Sequence, residues 1–332
     1  MSAIPVPESR NFWRQFFTIW DKVGILFVLL LVCAVFWILE PVFLTRNNLL
    51  NVIRQVSIIG IISVGMTFII LLGLIDLSVG SIVAFSGVIA ASMQVRWGTE
   101  LPVWVCMVAS IGLPLLVGTA CGFINGVIST KGKIHPFIVT LGTMSIYRGA
   151  TLLIVDGRPI SGMSKPFRYI GSGMPLGIPF PVILFLCCVA IAAFILRKTT
   201  FGRSIYAIGG NQESAYLSGI MVDRLKIIAF TALGTLSALA ALVLTSRVNS
   251  AEMQAGEGYE LDVIAAVVIG GTSMIGGEGG VIGTLFGALL IGVISNGLNL
   301  LGMQPYWQLM VKGAIIIAAV LLDRLKRSYE TD

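Results

Sequence analysis

Residues 103–127 read VWVCMVASIGLPLLVGTACGFINGV. The uncharged stretch around them runs from Leu101 to Thr130, which is longer than the about 20 apolar residues that a helix needs to cross a bilayer. The hydropathy of this stretch therefore predicts a transmembrane helix over 103–127.

The composition of the whole chain is also strongly apolar. Of its 332 residues 56% are hydrophobic and only 11% are charged, whereas soluble domains average about 25% charged residues. These values exclude a soluble enzyme, a nucleic-acid-binding domain and a disordered protein. In a membrane protein the net charge of +6 indicates Lys and Arg residues held on the cytoplasmic side.

Apolar runs recur along the chain and predict an all-α integral membrane fold of about ten transmembrane helices. The predicted spans are 23–43, 55–74, 79–95, 103–127, 136–155, 178–196, 226–246, 261–276, 281–301 and 306–323. They form one transmembrane domain over 23–323, with an outer loop at 156–177, a basic inner loop at 197–225, an N-terminal tail at 1–22 and a C-terminal tail at 324–332. Basic residues are concentrated on the segments assigned inside, which places both termini in the cytoplasm.

Two halves of the chain carry similar patterns in the same order. Residues 75–79 (IDLSV) correspond to residues 259–263 (YELDV), and each Asn-Gly pair, at 125–126 and 296–297, is followed by a span with a buried cation, Arg148 or Lys312. These pairs predict that spans two to five and spans seven to ten are inverted repeats, a common transporter architecture. The alternative is chance similarity between segments rich in Gly, Leu and Val.

The stretch DLSVGS at residues 76–81 places a carboxylate and two hydroxyls between apolar runs. A carboxylate at membrane depth is costly unless it is paired or hydrated. Asp76 and Ser78 are therefore candidates for the transport pathway or its gate. The alternative is that Asp76 caps the free N–H groups of the following helix.

Residues 256–280 are rich in glycine and include Glu260 and Asp262. Irregular backbone in a membrane is tolerated only where protein or water surrounds it, so this segment is predicted to line a cavity or gate. The alternative for the individual glycines is close packing between helices.

The inner loop over 201–220 predicts a short cytoplasmic helix of about eight residues. Asn211 is a suitable N-cap and Gly219 a suitable stop, and a helix of that length cannot cross the membrane. Such a helix is suited to docking into a groove of a partner. The alternative is a helix that lies on the lipid surface.

Several motifs are missing from the sequence. No phosphate-binding G-x-x-x-x-G-K-[ST] loop occurs, the only histidine is His135, and no nucleophile–base pair can be assembled. We therefore expect no catalytic residue, no metal site and no cofactor on this chain, with any nucleotide energy supplied by another chain. A proton-coupled secondary transporter that uses Asp76, Glu260 or Asp262 as a relay remains as an alternative, and a membrane-embedded enzyme is a weaker one.

Together, the 76–81, 258–262, 270–280 and 201–220 motifs resemble the ribose-type permease family of bacterial ABC importers. The resemblance covers roughly residues 23–325 and implies a subunit of the bacterial inner membrane that translocates a monosaccharide, a polyol or a signalling furanose. It implies a second permease subunit, identical or paralogous, and an external sugar-binding protein. It also implies a cytoplasmic ABC ATPase, in this group often with two fused nucleotide-binding halves, that holds the ATP and magnesium. The matching residues of the ATPase-docking loop are Gly209, Gly210, Asn211, Glu213, Ala215 and Gly219.

A sugar pathway through such a permease is expected to be polar and weakly binding. Beside Asp76, Ser78, Glu260 and Asp262, the candidates are polar residues within or next to the spans: Gln55, Ser57, Thr140, Asn249, Asn296 and Asn299. A polar residue in a span is as often a helix–helix hydrogen bond as a substrate contact, so both interpretations stay open for this set.

Overall fold

A computed structural model of the protein describes residues 8–98 and 100–331. Within them the chain forms thirteen α-helices: α1 (Glu8–Leu39), α2 (Arg46–Leu71), α3 (Val79–Trp97), α4 (Val103–Lys131), α5 (Pro136–Val155), α6 (Lys165–Ser172), α7 (Phe180–Lys198), α8 (Thr200–Gly210), α9 (Gln212–Leu217), α10 (Val222–Val248), α11 (Tyr259–Ile269), α12 (Val281–Leu300) and α13 (Pro305–Thr331). Two short strands, β1 (Ile160–Ser161) and β2 (Ser250–Ala251), pair antiparallel.

The predicted helical membrane character is confirmed. Seven of the described helices are long and apolar enough to cross a membrane, namely α2, α3, α4, α5, α7, α10 and α12, and α1 contributes a shorter apolar helix over Gly24–Leu39. Of the predicted tails, residues 1–7 and Asp332 lie outside the described residues. The remaining residues of each tail continue α1 and α13.

The predicted span 261–276 is wrong in its extent. Helix α11 has 11 residues, and at about 1.5 Å per residue it covers only about half of a bilayer core. The chain then leaves the helix through residues 270–280, where Gly271, Gly276, Gly277 and Gly279 have positive φ angles that glycine adopts without strain. Charge alone does not report this break, because residues 270–276 (GGTSMIG), which complete the predicted span, carry no charge.

Helices α2 and α10 pack against each other at the centre of the bundle. Helix α10 also packs against α3 and α4, whereas α2 packs against α11 and α12. Buried aliphatic and aromatic side chains such as Ile61, Ile62, Phe230 and Leu233 fill the core between them. Helix α10 therefore packs against helices of the first half of the chain, and α2 packs against helices of the second half.

The bundle has two distinct ends. At one, here called the α8–α9 end, α8 and α9 lie beside the end of α2 and the loop 270–280, where the Gly277 N–H donates to the Leu71 carbonyl at 2.9 Å. At the other, the hairpin end, β1 and β2 pair and α6 packs on α10. The 27 residues of α10 connect the two ends.

Candidate functional site

Asp76 lies in the non-helical segment between α2 and α3 and is only 1% exposed. Its Oδ1 accepts hydrogen bonds from the Ser78 N–H at 2.7 Å and the Ser78 hydroxyl at 2.6 Å. Asn125 on α4 donates from Nδ2 to Ser78 Oγ at 2.8 Å and to Asp76 Oδ2 at 3.3 Å. These three residues form the Asp76 cluster, in which both carboxylate oxygens are hydrogen-bonded, as a buried carboxylate requires.

Helix α5 completes the surroundings of the Asp76 cluster. Thr140 Oγ1 accepts the N–H of Leu77 at 3.2 Å. The Tyr147 hydroxyl donates to the Cys121 carbonyl at 3.1 Å and lies 3.4 Å from Asn125 Oδ1. The cluster therefore joins the start of α3 to α4 and α5.

The segment that leads into α11 lies against the start of α3. A Cβ at Gly80 would overlap the carbonyl oxygen of Gly256, so these two backbones touch. From α5, the Arg148 guanidinium donates to the carbonyls of Met253 and Ala255. The two motifs that resemble each other in sequence, around Asp76 and around Glu260, are thus brought into adjacent segments.

Asp262 and Lys312 form a separate, largely buried ion pair. Lys312 Nζ on α13 lies 2.8 Å from Asp262 Oδ2 on α11, and their side chains are 16% and 10% exposed respectively. Asp262 Oδ1 is buried and has no hydrogen-bond partner among the described residues. Lys312, the buried cation that the sequence predicts, is therefore paired with a carboxylate of the short helix α11.

The remaining pathway candidates do not join the Asp76 cluster. Asn296 and Asn48 exchange two amide hydrogen bonds of 2.9 Å. Asn249 caps α10 and accepts the Met163 N–H at 2.9 Å. These are bonds between elements of the fold, as the helix-packing alternative expects.

The last three candidates also lie apart from the cluster. Ser57 on α2 is buried and donates to the Ile53 carbonyl at 2.6 Å. Asn299, in the last turn of α12, accepts from Gln308 Nε2 at 2.7 Å and is exposed. Gln55 is half-buried on α2.

At the α8–α9 end, Asn211 caps α9 as predicted, with its Oδ1 accepting the Ser214 N–H at 2.8 Å. The helix has six residues, shorter than the predicted eight, because the chain turns at Ser218 and Gly219. Gly210, Glu213 and Gly219 are exposed together with Asn211. The exposed part of this region thus presents a defined polar surface around a short helix.

Comparisons with known proteins show the family to which the chain belongs. Residues 48–320 match the family described as branched-chain amino acid transport system, permease component. The chain belongs to this permease family. It is 47% identical over 320 residues to the ribose import permease protein RbsC of Haemophilus influenzae, which covers 95% of this chain and 96% of that protein.

Two further relatives cover a similar share of the permease. The ribose import permease protein RbsC of Bacillus subtilis is 49% identical over 303 residues, 91% of each chain. The D-allose transport system permease protein AlsC of Escherichia coli is 43% identical over 319 residues, 96% of this chain and 95% of that protein. No solved structure matches the chain significantly.

Two of the residues assigned to the docking loop of the permease do not face outward. Ala215 is buried, and a Cβ at Gly209 would overlap the Leu71 carbonyl and the Gly277 amide. These two positions hold α8 and α9 against the bundle. The outward-facing side chains that sequence reasoning did not select are Tyr216, Leu217 and Met221, which are 71%, 79% and 63% exposed.

The helical period explains this surface once the burial of Ala215 is known. Tyr216 and Leu217 follow Ala215 by 100° and 200° around α9, so the burial of Ala215 turns both away from the core. The signal for Asn125 and Tyr147 is weaker, since each is one polar residue in an apolar run. Only the approach of α4 and α5 to the Asp76 segment reveals their role.

Proposed function

We propose that the chain is the membrane-spanning subunit of an ATP-driven ABC importer that carries a monosaccharide across the bacterial inner membrane, with ribose as the first candidate. The observation that carries this proposal is the 44–49% identity to three ribose import permeases over at least 91% of the chain. The allose and arabinose permeases follow at 43% and 39%.

The proposed architecture is about ten spans with both termini in the cytoplasm, in which α2–α5 and α10–α13 form inverted repeats. The packing supports it, because α10 contacts α3 and α4 in the way that α2 contacts α11 and α12. Arg148 on α5 and Lys312 on α13, which correspond in the proposed repeats, also make similar contacts. Arg148 holds the segment before α11, and Lys312 holds α11 itself.

In this proposal the α8–α9 end is cytoplasmic and receives the ATPase, which holds the ATP and magnesium. Exposed Tyr216, Leu217 and Met221 supply apolar contact area, and Asn211 and Glu213 supply a polar edge. Helix α8 touches the loop 270–280 and the end of α2 through Gly209 and through the hydrogen bond from Tyr206 to the Gly279 carbonyl. Movement of α8 and α9 would therefore reach the central helix α2 and the half-helix α11 directly.

A second permease subunit is proposed to pack on α5. Gly142, Ser145 and Gly149 are exposed or half-exposed at helical spacing, and among the described residues no atom outside the local backbone of α5 lies within 4 Å of a Cβ placed at either glycine. Small residues at this spacing allow two transmembrane helices to approach closely. The external binding protein would then deliver the sugar to the hairpin end of both subunits.

The Asp76 cluster is assigned a positioning role in this mechanism. It fixes the start of α3 where α3 touches the segment before α11, which is one of the contacts between the two halves. Rocking of the halves about this contact would open the pathway alternately to each side. Such a motion requires different contacts in the two states, which ATP binding to the partner would supply.

Reconstitution tests the proposal. The full chain is placed in vesicles with the ATPase and binding protein encoded beside it, and uptake of labelled ribose, allose, arabinose, a polyol and leucine is measured. We expect ATP-dependent ribose uptake that disappears when the ATPase is omitted. Uptake driven by a proton gradient without the ATPase, or uptake of leucine in place of every sugar, would contradict the proposal.

The docking surface has its own test. We expect Glu213→Trp to reduce co-purification of the ATPase with the permease. Glu252→Trp is the matched control, because Glu252 is also an exposed glutamate but lies at the hairpin end. Equal co-purification of both variants with the ATPase would remove α9 from the interface.

A further inference from the structure

A groove with a volume of about 600 Å³ lies between α2, α7 and α10 at the α8–α9 end. Its walls are formed largely by apolar side chains, among them Val64, Phe68, Ala192, Ile195, Ala232 and Leu236. This is within the range of cavities that hold a small ligand. None of the residues proposed for transport or docking lines it.

The polar atoms of the groove are already occupied. Thr235 Oγ1 donates to the Thr231 carbonyl at 2.9 Å and lies 2.8 Å from Thr119 Oγ1. Thr199 Oγ1 donates to the Ile195 carbonyl at 2.7 Å and accepts the Gly202 N–H at 3.2 Å. A sugar in this groove would lose its hydrogen bonds to water and gain none, whereas a hydrocarbon chain loses nothing.

Three basic residues flank the part of the chain that lines the end of the groove, where α7 turns into α8. Arg197 and Lys198 occupy the last turn of α7 and Arg203 the first turn of α8, on either side of the lining residues Thr199 and Phe201. All three are exposed, and no carboxylate of the described residues lies within ion-pair distance of them. The groove therefore combines an apolar interior with a positively charged rim.

We propose that this groove binds one acyl chain of an anionic phospholipid, with the phosphate-bearing headgroup held by Arg197, Lys198 and Arg203. Basic pockets at the cytoplasmic ends of transmembrane helices attract anionic headgroups. An acyl chain in the groove gains the packing contacts that an unfilled void would forfeit. The site lies in the cytoplasmic leaflet, an orientation that rests on the proposed function.

The test compares lipids that the full chain retains. The permease is purified from vesicles containing equal phosphatidylglycerol and phosphatidylcholine, and bound lipid is counted by native mass spectrometry. We expect phosphatidylglycerol to be enriched. In R197Q/K198Q/R203Q the enrichment should fall about fivefold for each charge removed, since one basic residue near a membrane surface is worth about this factor.

Two control variants make the result specific. R158Q/K165Q/R168Q removes the same charge from exposed positions at the hairpin end and should keep the enrichment. Ala232→Phe fills the groove and should release the bound lipid, whereas Ala190→Phe, at an exposed position of α7 outside the groove, should not. These pairs separate the site from general charge and from added bulk.

Three results would overturn the proposal. The first is undiminished phosphatidylglycerol enrichment in R197Q/K198Q/R203Q, and the second is an equal loss in the hairpin-end variant. The third is a change of oligomeric state in Ala232→Phe without loss of lipid, which would assign the groove to a second copy of the chain. Because the readout is bound lipid, a permease that imports no sugar but retains phosphatidylglycerol contradicts only the proposed function.

Discussion

Gly209 and Gly277 meet backbone to backbone where α8 contacts the loop 270–280. A Cβ at position 209 would overlap the Gly277 amide nitrogen and the Leu71 carbonyl oxygen, which are themselves joined by a hydrogen bond of 2.9 Å. The absence of a side chain at Gly209 therefore permits one three-way contact between α8, α2 and the loop. Through it, the surface proposed for the ATPase is connected to the interior of the bundle.

Gly209→Ala should separate these elements. Overpacking of a tight contact costs about 1–3 kcal/mol, so we expect a lower melting temperature and weaker coupling of ATP hydrolysis to sugar uptake. Gly210→Ala is the matched control for the melting temperature, because no described atom outside the local backbone of α8 lies within 4 Å of a Cβ at this next position. Melting and coupling are measured in vesicles. Equal effects of the two variants on melting would show that the contact is not selective.

Tyr206→Phe should weaken the same contact by a different route. The Tyr206 hydroxyl donates to the Gly279 carbonyl at 2.8 Å, and loss of such a bond costs about 1 kcal/mol of unfolding free energy. Tyr216→Phe is the control, because that side chain is 71% exposed. Thermal unfolding of both variants in detergent checks the expectation, and a larger shift for Tyr216→Phe would contradict it.

The pH dependence of this bond follows from the phenol. Burial raises the pKa of Tyr206 above its ordinary value near 10, and the field of Arg197 offsets part of that rise. Because the folded-state pKa is raised, the stabilisation is fully present below about pH 10 and is lost as pH rises through the folded-state pKa. The difference in melting temperature between the protein and Tyr206→Phe should therefore be constant from pH 6 to about 9 and should shrink only at higher pH.

The sequence predicted those features of the fold that depend on residues close together in the chain. The uncharged stretch at 103–127 lies within helix α4, and the N-cap expected at Asn211 forms as predicted, because both depend on residues close in sequence. The half-length of α11 was not predicted, since residues 270–276 after it carry no charge that would mark the end of a span. Pairing across the chain, as between Asn48 and Asn296, depends on how α2 and α12 pack.

For the candidate site, the sequence predicted the residue types but not their partners. Asp76 and Ser78 were singled out together, yet the side chain that bonds to both, Asn125, appeared only as part of a repeat. Conversely, Ala215 was assigned to a docking surface although the packing of α9 buries it. A single sequence does not specify which face of a short helix meets the bundle.

Asp76 either takes part in transport itself or only positions the start of α3. Exchanging Asp76 and Asn125 separates these two interpretations, because it moves the carboxylate to position 125. Asp76→Asn alone places an amide donor opposite the Asn125 amide, and an unsatisfied buried group costs about 1–3 kcal/mol. Combining it with Asn125→Asp restores one donor and one acceptor, so the double variant should recover most of the thermal stability and the sugar uptake. Ser129→Ala is the control, because that hydroxyl donates only to carbonyls of its own helix.

A folded double variant without sugar uptake would favour the other interpretation. In that case the carboxylate at position 76 would itself be required for transport. Uptake in the double variant close to that of the unmodified chain would assign Asp76 to positioning. Both quantities, melting temperature and uptake rate, are measured in the same vesicle preparation.

The ion pair between Asp262 and Lys312 should be the most sensitive electrostatic contact among the described residues. Lys312→Met removes the partner of a carboxylate whose other oxygen is already unpaired, and loss of one member of a buried pair costs about 3–5 kcal/mol. Lys131→Met is the matched control, because Lys131 and Asp223 pair at 3.2 Å with side chains 66% and 54% exposed, and exposed pairs contribute about 0–1 kcal/mol.

A compensating variant tests the physical cause. Asp262→Leu combined with Lys312→Met replaces the pair by apolar side chains, and such replacements are often neutral or stabilising, so the double variant should regain the melting temperature lost in Lys312→Met. If the double variant keeps its stability but loses sugar uptake, the pair serves the transport cycle as well as the fold. Equal destabilisation in Lys312→Met and Lys131→Met would instead mean that water reaches Asp262 and replaces its partner.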